Sequence, residues 1–275
     1  MKLPRFQYFA PNSIGEASSL LANYGKDAYA LAGGTDLLVK MKQRRLVPGY
    51  VVNLKTIPGL DYITFDESGG LRMGPLVTIQ AIKSSASIRR NYKVLSEAAG
   101  VESSVQIRNR ATIGGNIANS SPAADAPLGL IVHGAGLVIT GPAGEREILL
   151  EYFSTGPGAN MLKPGELIAA VKFPIPAAAG YAKVQNAASR FALVGVFVAR
   201  FPSGVRVAVT GAAPVVFRVP SFEAALAARF EPAAVKGYGV DPAGLNSDIH
   251  AEAAFRAHLI SVMAKRAVAA ARAAG

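Results

Sequence analysis

The chain has 275 residues, long enough for a substantial core and more naturally two domains than one. It contains no cysteine, which excludes disulfides, thiolate zinc sites and a cysteine-ligated iron–sulfur cluster within this chain; its three histidines, His133, His250 and His258, fall at no ligand-like spacing, so metal chemistry is not expected. The net charge is +11, but only 17% of residues are charged and no RNP-like aromatic stretch or finger spacing accompanies them, which favours a solvated basic face or a docking face for an acidic subunit over nucleic acid.

The opening MKLPRFQYFAPNS has no apolar h-region, and the longest apolar run, FALVGVFVA at 191–199, is too short to span a bilayer. A cytoplasmic protein is expected, or one peripheral at the inner face of a membrane. Ser13 and Glu16 read as a capping box, followed by Ile14, Ala17, Leu20, Leu21 and Tyr24 at helical spacing and by Gly25 at the C′ position. AYALA (28–32) predicts a short buried strand, a Gly33–Gly34 turn leads to a helix over about 37–44, and YVVNL (50–54) predicts the next strand. Lys40, Lys42, Arg44 and Arg45, the tightest basic group, lie on that helix and its exit.

Signals are more mixed between residues 57 and 176. LRMGPLVTI (71–79) starts as a strand with a helix beginning at Thr78; 93–99 is expected helical, 137–140 a strand, and LIAAVKFPIP (167–176) a strand closed by two prolines. PIPAAAG (174–180) has a linker's composition. Beyond it YAKVQN, FALVGVFVARF and VRVAVTGAA predict an antiparallel meander, and 222–228 and 253–273 predict helices, with Phe255, Leu259, Val262 and Met263 on one face of the second.

Two stretches share a design: LAGGTDLLVKMKQRR (31–45) and TIGGNIANSSPAADAP (112–127). Each sets a glycine pair before an apolar helix. Gly33–Gly34 lets backbone N–H groups approach an anion closely, Thr35 adds a hydroxyl, and the following helix points its positive end at the site. Gly114–Gly115 offers the same, with Thr112, Asn116, Asn119, Ser120 and Ser121 nearby, and Asp125 suits a ribose hydroxyl or ring N–H. Read singly, each loop is also an ordinary tight turn with a helix cap; read together, they point to one elongated phosphate ligand. Neither a G-x-G-x-x-G nor a P-loop pattern is present. Arg108 and Arg110, before the second loop, stand to assist a diphosphate or to face solvent, and His133 reads as a core or helix-end residue.

LAGGTDLLVKMK and TIGGNIANSSPAADAP resemble the two FAD-binding signatures of the flavoprotein (medium) subunits of molybdenum hydroxylases, the family of carbon monoxide dehydrogenase and xanthine dehydrogenase. FQYFAPNSIGEASSLLANYG, YAKVQNAASRFALVGV and SDIHAEAAFRAHLISVMAKRAV extend the resemblance over essentially the whole chain. It implies an α+β protein: a two-subdomain PCMH (vanillyl-alcohol-oxidase-type) FAD-binding domain over residues 1–176, divided at about residue 55, then a smaller α+β domain with an antiparallel sheet and helices over 177–275. Carried over by position, the cofactor residues are Leu31, Ala32, Gly33, Gly34, Thr35, Asp36, Leu37 and Leu38 in the first loop, and Thr112, Ile113, Gly114, Gly115 and Asn116 in the second, with Asp125 beyond. Ile168 and Lys183 match positions that approach the flavin ring. Phe191 replaces a tyrosine common beside the isoalloxazine, keeping an apolar shield without the hydroxyl. Ala253 and Phe255 depart from a serine and tyrosine usual near that point.

By this resemblance the chain is an oxidoreductase subunit that carries FAD and has no catalytic acid or base of its own. A large molybdopterin subunit oxidises the substrate, a small subunit passes electrons through two [2Fe–2S] clusters, and FAD hands them to an external acceptor, in a dimer of heterotrimers (a heterohexamer). The lack of cysteine agrees with clusters held elsewhere and disfavours the hydroxybenzoyl-CoA reductase branch. The substrate, whether carbon monoxide, an N-heterocycle, a purine or an aldehyde, is read by the large subunit. The alternatives are a stand-alone FAD-dependent oxidoreductase acting directly on a small substrate, and a nucleotide- or nucleic-acid-binding module.

Overall fold

Helix α1 (Ile14–Tyr24) starts at Ser13, whose Oγ accepts the Glu16 N–H at 3.1 Å. The Glu16 carboxylate reaches back past Ser13 to accept the Asn12 N–H at 2.9 Å, one residue further than a capping box requires. The helix ends at Gly25 (φ 53°), whose N–H closes on Leu21 O. It connects β1 (Gln7–Phe9) to β2 (Ala28–Leu31), and α2 (Leu37–Lys42) connects β2 to β3 (Tyr50–Asn53). Both outer strands run parallel to β3, in the order β1-β3-β2, and parallel neighbours require such crossovers. Phe9, Tyr24 and Tyr50 stack at one end of this unit, with the Tyr24 and Tyr50 centroids 3.8 Å apart. The buried strand expected at 28–32 is instead a half-buried edge strand ending at Leu31, because its open side forms the wall of a cavity. The structure, a computed structural model, describes residues 2–122, 124 and 134–274.

The middle of the chain divides into an antiparallel sheet and a group of short helices. The sheet runs β4 (Ile63–Asp66), β5 (Gly70–Met73), β10 (Leu167–Phe173), β6 (Gly136–Gly141) and β7 (Gly144–Leu149) in that spatial order, while β8 (Ser154–Gly156) and β9 (Ala159–Asn160) pair with each other. Between β5 and β6 lie α3 (Ile79–Ser84), α4 (Ala86–Asn91), α5 (Lys93–Val101), α6 (Val105–Arg108) and α7 (Ile113–Asn119). Thr78, Ser85, Ser104 and Thr112 cap four of them through hydroxyl oxygens that accept first-turn N–H groups at 3.1–3.3 Å.

Strands β11 (Ala178–Gln185), β12 (Ala192–Phe201), β13 (Gly204–Thr210) and β14 (Phe217–Arg218) form the expected meander, each antiparallel to the next. Alternation along β12 sends its residues to two cores. Phe197 and Ala199 join Leu71, Ile79 and Phe173 in the core of the preceding unit, whereas Val194, Val196 and Val198 pack with Val207 and Val209 under α8 (Pro220–Ala228) and α9 (Ala253–Ala274). The buried face of α9 keeps Leu259 and Met263 of the one predicted, with Val262 packed against it, but leaves out Phe255. It is Arg256, Ile260, Met263, Ala264, Ala267, Val268 and Ala271, with Leu259 beside it, and Phe255 is 51% exposed. Alanines dominate that face because the helix lies almost on the backbone of β11: a Cβ on Gly180 would fall 1.9 Å from Ala267 O.

Candidate cofactor site

Two contiguous cavities lie where the N-terminal βαβ unit meets the five-stranded sheet. The wider, about 450 Å³, is floored by the apolar seam of Leu21, Leu54, Leu76, Leu167 and Ile168, and is rimmed by Lys26, Lys163 and Glu166. The narrower, about 230 Å³, runs between the two glycine loops. Tyr29, Ala30, Ala32, Gly115 and Ala118 belong to both, so they form the throat.

The first loop supplies donors. Gly33, Gly34, Thr35, Asp36 and Leu37 all line the narrow cavity, and the N–H groups of Gly33, Gly34, Thr35 and Asp36 have no partner among the described residues; neither has the Thr35 hydroxyl. Gly34 takes φ +77°, which a side chain would strain, and the side chains of Leu31 and Leu38 close beneath it. Those two leucines therefore support the loop rather than line the cavity.

The second loop behaves differently from its sequence twin. Its N–H groups are already used: Ile113 donates to Val77 O, Gly114 to Pro75 O, Gly115 to Thr112 Oγ1 and Asn116 to Thr112 O. Ile113 is wholly buried in the core, and the Asn116 amide nitrogen donates to the Glu102 carboxylate while its Oδ1 is sealed without a partner. The glycines also divide their tasks. Gly33 and Gly114 are needed for close packing of protein on protein, since a Cβ would fall 2.1 Å from Arg110 O at the first and 2.7 Å from Pro75 at the second. Gly115 faces the throat, where a Cβ would stand 3.8 Å from that of Ala32. Helices α2 and α7 are six and seven residues long, so free loop N–H groups, rather than a long helix dipole, provide the positive lining.

Side chains complete the walls. Lys40 Nζ donates to Asn119 Oδ1 at 3.0 Å, bridging α2 and α7 across the narrow cavity. Glu166 is clamped by Arg146 through two 2.8 Å bonds and accepts the Lys163 N–H at 2.7 Å; the Arg146 guanidinium foremost holds its carboxyl down to about 2. Lys55 is lowered by burial and then by the Arg110 charge. Arg108 is buried and committed to Gln80, Glu102 O and Ser103 O, so it does not reach a diphosphate, while Arg110 is exposed.

Ile168 and Lys183 do not share a cavity: Ile168 lines the wide one, whereas Lys183 lies on β11 of the C-terminal sheet, outside both. Phe191, 60% exposed, sits in the loop between β11 and β12. That end of the sheet is tied to the second glycine segment, since Thr210 Oγ1 and the Gly211 N–H both donate to Pro122 O. Asp125 and His133 lie outside the described residues. Tyr29, Ala30, Lys40 and Leu162 line the cavities without having been singled out as cofactor residues; the signal for the first two was their place on the strand feeding the first loop. Among the described residues no group of histidines and acids could hold a metal ion, and no helix is long and apolar enough to cross a membrane.

The donor-lined channel with an apolar annex fits FAD: unpartnered N–H groups suit a diphosphate, and the side-chain-free throat at Gly115 leaves room for it. Comparison with known proteins agrees. The family described as "FAD binding domain in molybdopterin dehydrogenase" matches residues 4–176. The carbon monoxide dehydrogenase medium chain of Hydrogenophaga pseudoflava is 34% identical over 223 residues, spanning 78% of this chain and 77% of the relative. The nicotine 6-hydroxylase medium subunit of Paenarthrobacter nicotinovorans is 31% identical over 98% of both chains. The solved structure of the Hydrogenophaga pseudoflava carbon monoxide dehydrogenase superposes with a TM-score of 0.90 at 33% identity, over 99% of both chains. The chain therefore belongs to the FAD-binding medium subunits of the molybdenum hydroxylases, a family of oxidoreductases.

Proposed function

We propose that this chain holds one FAD across both cavities and relays electrons through it from an iron–sulfur partner to an external acceptor. The observation that carries the reading is the row of unpartnered N–H groups at Gly33, Gly34, Thr35 and Asp36, opposite Gly115. The diphosphate lies on that row with the Thr35 hydroxyl; Thr112, Gly114 and Asn116 shape the facing wall. The adenosine half takes the wide apolar cleft, so that Ile168 meets this half and not the flavin ring that the resemblance implied, and the flavin half runs toward the C-terminal sheet, where Lys183 and the exposed Phe191 stand. In this reading residues 1–176 form the FAD-binding domain and 177–275 a smaller domain that closes the flavin end. Bound FAD supplies the redox chemistry; the protein binds it, orients it and excludes water from its buried half.

The partners in this reading are a large molybdopterin subunit and a small subunit with two [2Fe–2S] clusters, assembled as a dimer of heterotrimers. The charge of +11 suits docking onto less basic surfaces. Two measurements test the proposal. The purified chain should bind FAD one-to-one, and Thr35→Val should weaken it roughly tenfold through loss of a hydrogen bond to a charged group. The protein purified from its native host should bring down two partner chains with flavin and iron–sulfur absorption. A chain that never binds FAD overturns the site; a lone flavoprotein that turns over substrate overturns the relay.

A further inference from the structure

The loop of residues 186–191, which carries Phe191, is organised by one side chain. Asn186 Oδ1 accepts the N–H groups of Ala188 at 2.9 Å and Ser189 at 3.0 Å, and the Asn186 N–H donates to Phe191 O at 2.8 Å. The loop holds Arg190 at φ +61°, a conformation that a side chain adopts only under constraint. With Oδ1 doubly occupied, the amide orientation is fixed and Nδ2 faces His250 Nδ1 at 3.1 Å. An amide nitrogen only donates. Nδ1 of His250 must therefore present its lone pair, and the ring proton sits on Nε2.

His250 is in turn anchored. Asp248 Oδ1 accepts the His250 N–H at 2.9 Å and the Ala251 N–H at 3.1 Å, and the buried Arg256 grips both Asp248 oxygens at 2.8 Å. Arg256 also donates to Leu193 O and Gly211 O, so the turn is fastened to β12 and to the end of β13.

We infer that neutral His250 is a positioning residue that clips the 186–191 loop, and with it Phe191, at the flavin end of the site. The inference rests on the placement of Phe191 beside the flavin.

Hydrogen exchange of the full chain at neutral pH tests this, read on peptides covering 186–191. His250→Ala should lose protection at Ala188 and Ser189 roughly fivefold, the scale of one hydrogen bond. His250→Gln, whose side-chain carbonyl also accepts from the Asn186 amide, should keep native protection. Native protection in His250→Ala, or a glutamine variant that loses it, overturns the clip. The visible flavin band of the FAD-bound chain should shift with loop opening. Opening without a shift leaves the clip standing and overturns the placement of Phe191.

Discussion

A Cβ on Gly33 would lie 2.1 Å from the carbonyl oxygen of Arg110, so the first glycine loop is seated directly on the backbone that leads into the second. Gly115, across the throat, meets no backbone: a Cβ there would stand 3.0 Å from the Thr112 hydroxyl oxygen and 3.8 Å from the Cβ of Ala32. Two glycines of the same sequence motif thus serve packing and ligand room separately.

That division predicts different phenotypes. Gly33→Ala must push the loops apart and should lower apo-protein stability by about 2–3 kcal/mol, with FAD affinity falling as a consequence. Gly115→Ala sets the helix preference of alanine in the first turn of α7 against a 3.0 Å approach to the Thr112 hydroxyl, a side-chain oxygen that can shift by a few tenths of an ångström, so stability should change by less than about 1 kcal/mol while FAD binding drops roughly tenfold or more. Urea unfolding of the apo-proteins beside FAD titrations separates the two. Equal stability losses would contradict the assignment.

Arg256 and Asp248 form an asymmetric ion pair: the arginine side chain is 3% exposed and the aspartate 45%. Arg256→Met removes the guanidinium bonds to Leu193 O, Gly211 O and the Asp248 carboxylate and buries an apolar side chain against those oxygens, and should lower stability by about 3 kcal/mol. Asp248→Asn changes a group that water already reaches and should be much milder. Urea midpoints of the two variants, compared at neutral pH, check the ordering.

Much of this architecture was legible. The Ser13 cap, the parallel strands about the first loop and the meander after the prolines follow from hydroxyl caps, Gly and Pro punctuation and period-two runs. Between residues 79 and 119, α3, α5 and α7 were read from Thr78, the 93–99 run and the second glycine pair, whereas α4 and α6 were not, because segments of six and four residues are shorter than the window over which helical periodicity becomes visible. Their hydroxyl caps, Ser85 and Ser104, were in plain sight, but a Ser before an apolar residue is too common to assign alone. The cofactor channel showed the same limit. Glycine pairs located both loops, yet whether a glycine N–H is free, as at Gly33, or spent, as at Gly114, depends on Pro75, a residue distant in sequence. The misplacement of Phe255 on α9 has a similar cause: it outweighs Ala264 and Ala267 in hydrophobicity, whereas the contact with Gly180 selects for smallness.

Acid should cost the wide cleft the stabilisation of its Arg146–Glu166 ion pair. The Glu166 carboxyl is held from 4.5 down to about 2, chiefly by Arg146. A depressed folded value means the ion pair contributes fully above the ordinary carboxylate range and is lost as pH falls from there toward about 2. Glu166→Gln should lower stability at neutral pH and flatten its decline across that acidic window. Denaturation midpoints of both proteins against pH would show it, and parallel profiles would mean that Glu166 is not the group responsible.

The tightest contact in the C-terminal half yields the last prediction. Gly180 on β11 lies beneath Ala267 and Ala271 of α9, where a Cβ would stand 1.9 Å from one backbone oxygen and 2.7 Å from a backbone nitrogen. Neither atom is the end of a flexible side chain, so Gly180→Ala must lift the helix from the sheet. The Val194, Val196 and Val198 core under α9 would loosen with it, for a loss of about 2–4 kcal/mol. The same displacement carries Arg256 away from Leu193 O and Gly211 O, and so disturbs the start of β12 and the end of β13. FAD should still bind, because the glycine loops stand on other elements, but thermal unfolding should begin at α9. Hydrogen exchange resolved along residues 253–274 would detect that early opening, and uniform protection with native stability would refute the packing argument.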